Sequence, residues 1–303
     1  MGASEAGAWM NTNDVQVTPD RLVVSVGERR AILLDVIRRA RSRITLSLFR
    51  CNDAGIFEEL AAATRRGVAV EVLVTSRAKG GRRKLDQLWS ALGETGATLR
   101  TYTDPVVKYH AKYLVADEGP ALVASLNLTK KCFRRTCDAV VVTHDPAVVS
   151  GLRRLWAADC ARLAMPDDLT ERLIVGPERA RRQFTALIEQ ARASIRLIDA
   201  KLSDPDLVSI LNARRAAGLP VEIFSSKRVG GLKSHGKIML IDDRTVVVGS
   251  LALAALSLDF RREVAIVVTE PTAVADAAEL FRTLREAAEN DAAAAGAADE
   301  ALC

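Results

Sequence analysis

The 303-residue sequence predicts an α/β protein built from two similar mixed-sheet units, packed about a pseudo-two-fold axis with helices on the outside. Three observations predict this. The stretch "HAKYLVAD" at 110–117 has a twin in "HGKIMLID" at 235–242. Polar residues stay in step around both copies: Lys112 and Lys237 at +2, Asp117 and Asp242 at +7, Ser125 and Ser250 at +15, Asp138 and Glu263 at +28. Upstream of each copy, apolar residues switch from helical spacing to short β-rich runs.

The elements follow in order. "RRAILLDVIRRARSRITLSLF" (29–49) parallels "ARRQFTALIEQARASIRLIDA" (180–200), and each predicts a helix and then a strand. A second helix stops at Gly67 or Gly218, because glycine just past the last turn supplies the left-handed conformation that ends it. The strands "VEV" (70–72) and "VEI" (221–223) come next. The offset between copies is 151 residues here and 125 at the histidines, so the first unit carries 26 extra residues. They predict one more helix, "RRKLDQLWSALGETG", and one more strand, "ATLRTY". "KYLVA" and "KIMLI" read as buried strands that begin at the histidine-lysine pairs, followed by "ALVAS" and "TVVVGS", which end at the serines. The resulting division is an N-terminal extension (1–27), a first unit (28–165), a shortened second unit (166–289) and an Ala-rich tail (290–303).

Composition narrows the class. With 49% hydrophobic and 27% charged residues the chain is not of the disordered type. A net charge of +5 and basic stretches at 77–84, 130–135 and 227–233 favour anionic partners. The five cysteines contain no CxxC pair, which argues against a zinc site or disulfide framework and for a reducing, cytoplasmic setting. The most apolar run, 245–258, is too short to span a bilayer.

Spacing of i, i+2 on a strand sends histidine and lysine to one face, so a single phosphate can meet both. Imidazole exists in both protonation states near neutrality, lysine supplies positive charge, and serine or asparagine supplies neutral donors. A carboxylate on each histidine would set its tautomer. The full pattern, HxK, four residues, Asp, six residues, then a Gly/Ala-Ser-x-Asn segment, resembles the phospholipase D superfamily. It is complete in "HAKYLVAD…ASLN" and departs at Ala252 in "HGKIMLID…GSLA".

That resemblance implies a metal-independent phosphodiesterase that acts through a covalent phosphohistidine and needs no cofactor. It implies His110 as the nucleophile and His235 as the acid/base. Lys112, Lys237, Ser125, Asn127 and Ser250 would hold the phosphate, and Asp138 and Glu263 would orient the histidines. Asp117 and Asp242 are expected to support the strand and turn rather than touch substrate. Phospholipid is the first substrate expected, with peripheral membrane contact, and DNA or RNA is the alternative. A non-catalytic anion-binding module is the third reading, favoured only by Ala252. Because one chain carries both motifs, a monomer is expected.

Overall fold

In the computed structural model, which describes residues 19–77, 82–225, 228–229 and 231–300, the first unit starts with β1 (Arg21–Val23), α1 (Glu28–Arg39) and β2 (Arg43–Leu48). It continues through α2 (Ala54–Arg65), β3 (Ala69–Thr75), α3 (Arg82–Gly93) and β4 (Thr98–Tyr102). The motif region follows as β5 (Lys108–Tyr109), β6 (Tyr113–Ala116), β7 (Ala121–Ala124), α4 (Lys130–Arg135), β8 (Thr136–Cys137) and β9 (Val140–Thr143), closed by α5 (Pro146–Ala161). The second unit opens with β10 (Leu173–Gly176), α6 (Ala180–Gln190), β11 (Ile195–Ile198), α7 (Pro205–Ala216) and β12 (Val221–Phe224). Then come β13 (Arg228–Val229), β14 (Leu232–Ser234), β15 (Ile238–Ile241), β16 (Thr245–Gly249), α8 (Ala255–Asp259), β17 (Arg261–Val268) and α9 (Pro271–Glu300).

The duplication is visible strand by strand. The first sheet runs β1-β9-β7-β6-β2-β3-β4 and the second β10-β17-β16-β15-β11-β12, so each strand except β4 has a counterpart at the same place in the other sheet. The extra helix and strand read in the first unit are α3 and β4, and β4 extends the sheet edge parallel to β3. Local chemistry sets the element ends. Gly67 and Gly218 sit at φ 84° and 88° after α2 and α7. Asp145 and Asp204 cap α5 and α7 by accepting backbone N–H bonds, each followed by a proline at the first helical position.

Packing is layered. The outer face of the first sheet is covered by α1, α2 and α3, and that of the second by α6 and α7. The inner faces share one core, in which Val123, Val141, Leu240 and Ile266 meet Trp156 of α5 and Phe281 of α9. Helices therefore line this inner layer as well as the outside. Two sequence boundaries shift: β1, within the expected extension, pairs with β9 as a sheet edge, and α9 runs on past residue 289. Among the described residues, no helix is long and apolar enough to cross a membrane.

Asp117 and Asp242 each cross to a neighbouring loop. The Asp117 carboxylate accepts from the backbone N–H groups of Arg41, Ser42 and Arg43, and Asp242 from those of Arg192, Ala193 and Ser194. Burial acts to raise both carboxyls, but these donors outweigh it and hold them below the ordinary value. Both residues also adopt positive φ, 43° and 56°, where aspartate and asparagine are tolerated best after glycine. Asp242→Ala is expected to cost about 1–3 kcal/mol of stability, and Asp242→Asn less. Urea titration checks this, with activity per folded molecule unchanged in both variants.

Candidate active site

The site is assembled by two very short strand pairings between the units. β5 lies parallel to the start of β17, with Lys108 opposite Arg261 and Tyr109 opposite Arg262, and the His110 N–H donates to Arg262 O at 2.9 Å. Its symmetry mate is β14 on β8, with Lys233 opposite Thr136 and Ser234 opposite Cys137, and the Gly236 N–H donates to Cys137 O at 2.7 Å. The approach at Gly236 is close enough that a Cβ there would sit 2.3 Å from that carbonyl, which reserves the position for glycine.

The pairings cross the acids over. His235 Nδ1 lies 3.0 and 3.1 Å from the two carboxylate oxygens of Asp138, which belongs to the other unit. His110 Nδ1 lies 2.7 Å from Glu263 Oε1, also from the other unit. That contact is bent away from the linear hydrogen-bond direction, and Oε1 accepts no well-aligned bond from any described residue. The His110 ring packs edge-on against Phe49, with centroids 4.3 Å apart. Each lysine folds back on its own histidine, Lys112 Nζ donating to His110 O at 2.7 Å and Lys237 Nζ to His235 O.

The motif serines do not play equivalent parts. Ser125 is fully buried and donates to Asp138 Oδ1 at 2.7 Å, and Thr136 donates to Oδ2 at 2.5 Å. Ser250 instead bonds the Val264 backbone, and Ser257 donates to Glu263 Oε2 at 2.7 Å. Asn127 carries a buried Oδ1 with no described hydrogen-bond partner. Ala252, in the matching place, is buried, and its N–H donates to Ser257 Oγ.

Several site residues carry no motif signal. Arg29 is completely buried and donates to the main-chain oxygens of Thr136 and Asp138, stiffening the strand that presents the acid. Asp199 accepts from the N–H groups of Lys201 and Leu253, tying the loop after Ser250 to the end of β11. Arg262 is clamped by Asp159 and Glu178 and fixes the main chain beside His110. Lys201 and Arg261 bear electrostatically on His110. Lys201 aligns with Arg50 in the other copy, a correspondence readable from the 151-residue offset.

The electrostatics differ between the halves. Burial, then Lys112, Lys237, Arg261 and Lys201, hold His110 well below the usual imidazole value. Burial, reinforced by Lys237 and Lys112, holds His235 below it too, against the pull of Asp138. The same two lysines therefore act on both imidazoles, as one shared site requires. Burial works to raise Asp138, but His235, Lys237 and the Thr136 hydroxyl keep it below the ordinary carboxyl value. Burial pushes Glu263 up to about 7 and brings the Lys112 ammonium down to about 7. Among the described residues, one set of metal-type donors converges: Cys132, Asp138 and His235 within 4.8 Å of one another. Asp138 is already bonded by three groups, and Lys237 and Arg29 add positive charge beside it, so an ion pair fits this set better than a cation does.

Comparison with known proteins bears on the family and the fold. The family described as "Cardiolipin synthase, PLD-like domain" matches residues 33–159 and 216–285, and the chain belongs to that family of phospholipase D-like phosphoryl-transfer proteins. The fold is similar to that of a phosphatidylserine synthase from Haemophilus influenzae Rd KW20, at TM-score 0.66 and 12% identity, over 88% of this chain and 86% of that one. It is also similar to a polyphosphate kinase from Porphyromonas gingivalis, at TM-score 0.70 and 20% identity, over 87% of this chain. The chain spans 46% of that kinase's length. No curated protein matches the sequence.

Proposed function

We propose that this protein is a metal-independent phosphodiesterase or phosphatidyltransferase of the phospholipase D type, working as a monomer through a phosphohistidine at His110. The observation that carries the reading is the crossed arrangement of two histidine-lysine pairs, each imidazole backed by a carboxylate of the opposite unit. With hydrogen on Nδ1 facing Glu263, His110 keeps its Nε2 lone pair for attack on phosphorus. As the phosphorus–nitrogen bond forms, the bond to the leaving oxygen breaks and His235 passes its proton to that oxygen. Lys112 and Lys237 neutralise the phosphoryl oxygens, and the Asn127 amide adds a neutral donor. Neutral His235 then takes a proton from water or an alcohol, whose oxygen attacks phosphorus and frees His110.

The asymmetry of the acids supports the division of roles. Asp138, held ionised by its surroundings, favours a protonated His235, whereas His110 among four cations favours the neutral form a nucleophile needs. Phospholipid is the first substrate and the phosphatidyl group the unit transferred. The basic rim at Lys131, Arg134 and Arg135 supports a nucleic-acid strand as the second reading. Assays in EDTA against phospholipid vesicles and against single- and double-stranded DNA test the reading. Release of neither headgroup nor cleaved strand, or an absolute metal requirement, would overturn it.

The pH dependence has a definite sign. kcat/KM reports groups in the free enzyme, and both imidazoles lie below 6.5. Activity is expected to fall as pH rises through the His235 value, because the leaving oxygen loses its proton donor. It falls again at lower pH as Glu263, at about 7, and then His110 take up protons. The maximum of kcat/KM for an alkyl diester therefore lies between the His235 value and about 7. For a leaving group that needs no proton, the upper limb moves to about 7, where Lys112 loses its charge. Profiles with the two substrate types check both limbs.

A further inference from the structure

The two short helices beside the histidines are symmetry mates with opposite surfaces. α4 and α8 align residue for residue at the 125-residue offset: Lys131 with Leu256, Cys132 with Ser257, Phe133 with Leu258, Arg134 with Asp259 and Arg135 with Phe260. Burial follows the same pattern, with the pairs 132/257 and 133/258 buried and the residues at 131, 135, 256 and 260 exposed. Each helix leads directly into a strand that pairs with the segment just upstream of a histidine. The two exposed faces therefore flank one mouth. One side carries Lys131 and Arg135, and the other carries Leu256 and Phe260, at 64% and 48% exposure.

Neighbouring residues widen the contrast. On the apolar side, Val106 is 65% exposed, two residues before Lys108, whose N–H donates to the Phe260 carbonyl. These are three of the four large hydrophobic side chains that stand exposed among the described residues. Two acidic residues on this side are both engaged: Asp259 pairs with Arg181, and the Asp104 carboxylate accepts from the Val106 and Val107 N–H groups. On the basic side, the Lys131 ammonium lies close enough to Lys233 to hold it below the usual lysine value. Two cations held together in this way favour an anion between them. Exposed apolar side chains clustered at a site mouth are unusual for a surface facing only water. A polyanionic strand would be served by cations on both sides, whereas a lipid surface presents phosphates and an apolar layer together.

We propose that this two-sided rim docks the protein on an anionic lipid bilayer, with Val106, Leu256 and Phe260 entering the interfacial zone and Lys131, Arg135 and Lys233 meeting headgroup phosphates. The inference rests on the phosphodiesterase reading in that it makes the same mouth the entry route for substrate. It orients a lipid diester, with acyl chains toward α8 and charged headgroup toward α4.

Co-sedimentation with vesicles of phosphatidylglycerol and phosphatidylcholine tests it, alongside vesicles of phosphatidylcholine alone and a single-stranded DNA oligonucleotide. Binding is expected to the anionic vesicles, weaker in high salt. The Leu256→Ser/Phe260→Ser double variant should lose about tenfold in vesicle affinity. Lys131→Glu/Arg135→Glu should lose about tenfold or more on anionic vesicles, with little change on neutral ones. Both apolar substitutions fall at exposed positions, so circular dichroism should stay native, and hydrolysis of the soluble diester bis-(p-nitrophenyl) phosphate should stay at the wild-type rate. No vesicle binding, or binding indifferent to the apolar variant, would overturn the proposal. So would tight DNA binding lost only in the charge variant, which assigns the rim to nucleic acid. If soluble diester turnover depends on His110 while vesicles are not bound, docking fails and the phosphodiesterase reading stands. If vesicles bind as described but no diester is turned over, the docking is supported and the catalytic reading fails.

Discussion

His110→Ala is expected to lower kcat/KM by about 10⁴-fold or more, because the attacking atom is gone and neighbouring groups supply only positioning and charge. His235→Asn should behave differently according to the leaving group. For an alkyl diester it removes the proton donor, at about 10²–10⁴-fold in rate. For a p-nitrophenyl diester the first bond breaks without a donor, so phosphorylation of His110 proceeds and only its release is slow. The expected result is a burst of about one equivalent of p-nitrophenolate per chain, followed by near-arrest, in line with a covalent intermediate. Mass spectrometry of alkali-quenched enzyme should find the phosphoryl label on His110, as a phosphoramidate lost in acid. A His110→Ala enzyme near the wild-type rate, or label on another residue, would end the nucleophile assignment.

The crossed carboxylates lead to the second large effect, and the crossing decides its pattern. An amide in place of a histidine's carboxylate turns an N–H toward Nδ1 and drives the ring proton to Nε2, at about 10⁴-fold in rate where this has been measured in a triad. Asp138→Asn, although in the first unit, should disable His235, since that is the imidazole it touches. It should spare the p-nitrophenolate burst and suppress turnover of alkyl diesters. Glu263→Gln, in the second unit, should abolish the burst itself, because it removes the Nε2 lone pair of His110. If each acid served the histidine of its own unit, the two phenotypes would be exchanged. Stopped-flow burst amplitudes of the two variants distinguish the arrangements.

Much of the fold was legible because duplication prints the same polar positions twice. The +28 register picked out Asp138 and Glu263, and the change of offset from 151 to 125 located α3 and β4. The exchange of acids between units was not legible. It depends on β5–β17 and β8–β14, in which two residues of each strand pair with two of the other, too short to leave a periodic signal. Two of the three hydroxyls on the acids were hidden for a related reason: Thr136 aligns with Arg261, and Ser257 aligns with Cys132, so comparison of the copies hides both, whereas Ser125 is a motif residue. Arg29 is one of four arginines in α1, yet it is wholly buried. A lone charge in an amphipathic pattern gives no warning that a partner strand will close over it. β1 was missed because three residues beside a polar leader carry no alternation to detect.

Exchange of carboxylates also bears on the order in which the molecule becomes functional. While the two halves remain apart, the inner faces that share one core are uncovered and neither imidazole has an acid. Activity would then report the meeting of the halves, in which the shared core closes and two pairs of dipeptide strands latch, and should return no earlier than that step. The same logic implies that an ancestral single unit needed a second copy of itself to make one working centre, and that joining the copies in one chain made the meeting of the halves independent of protein concentration.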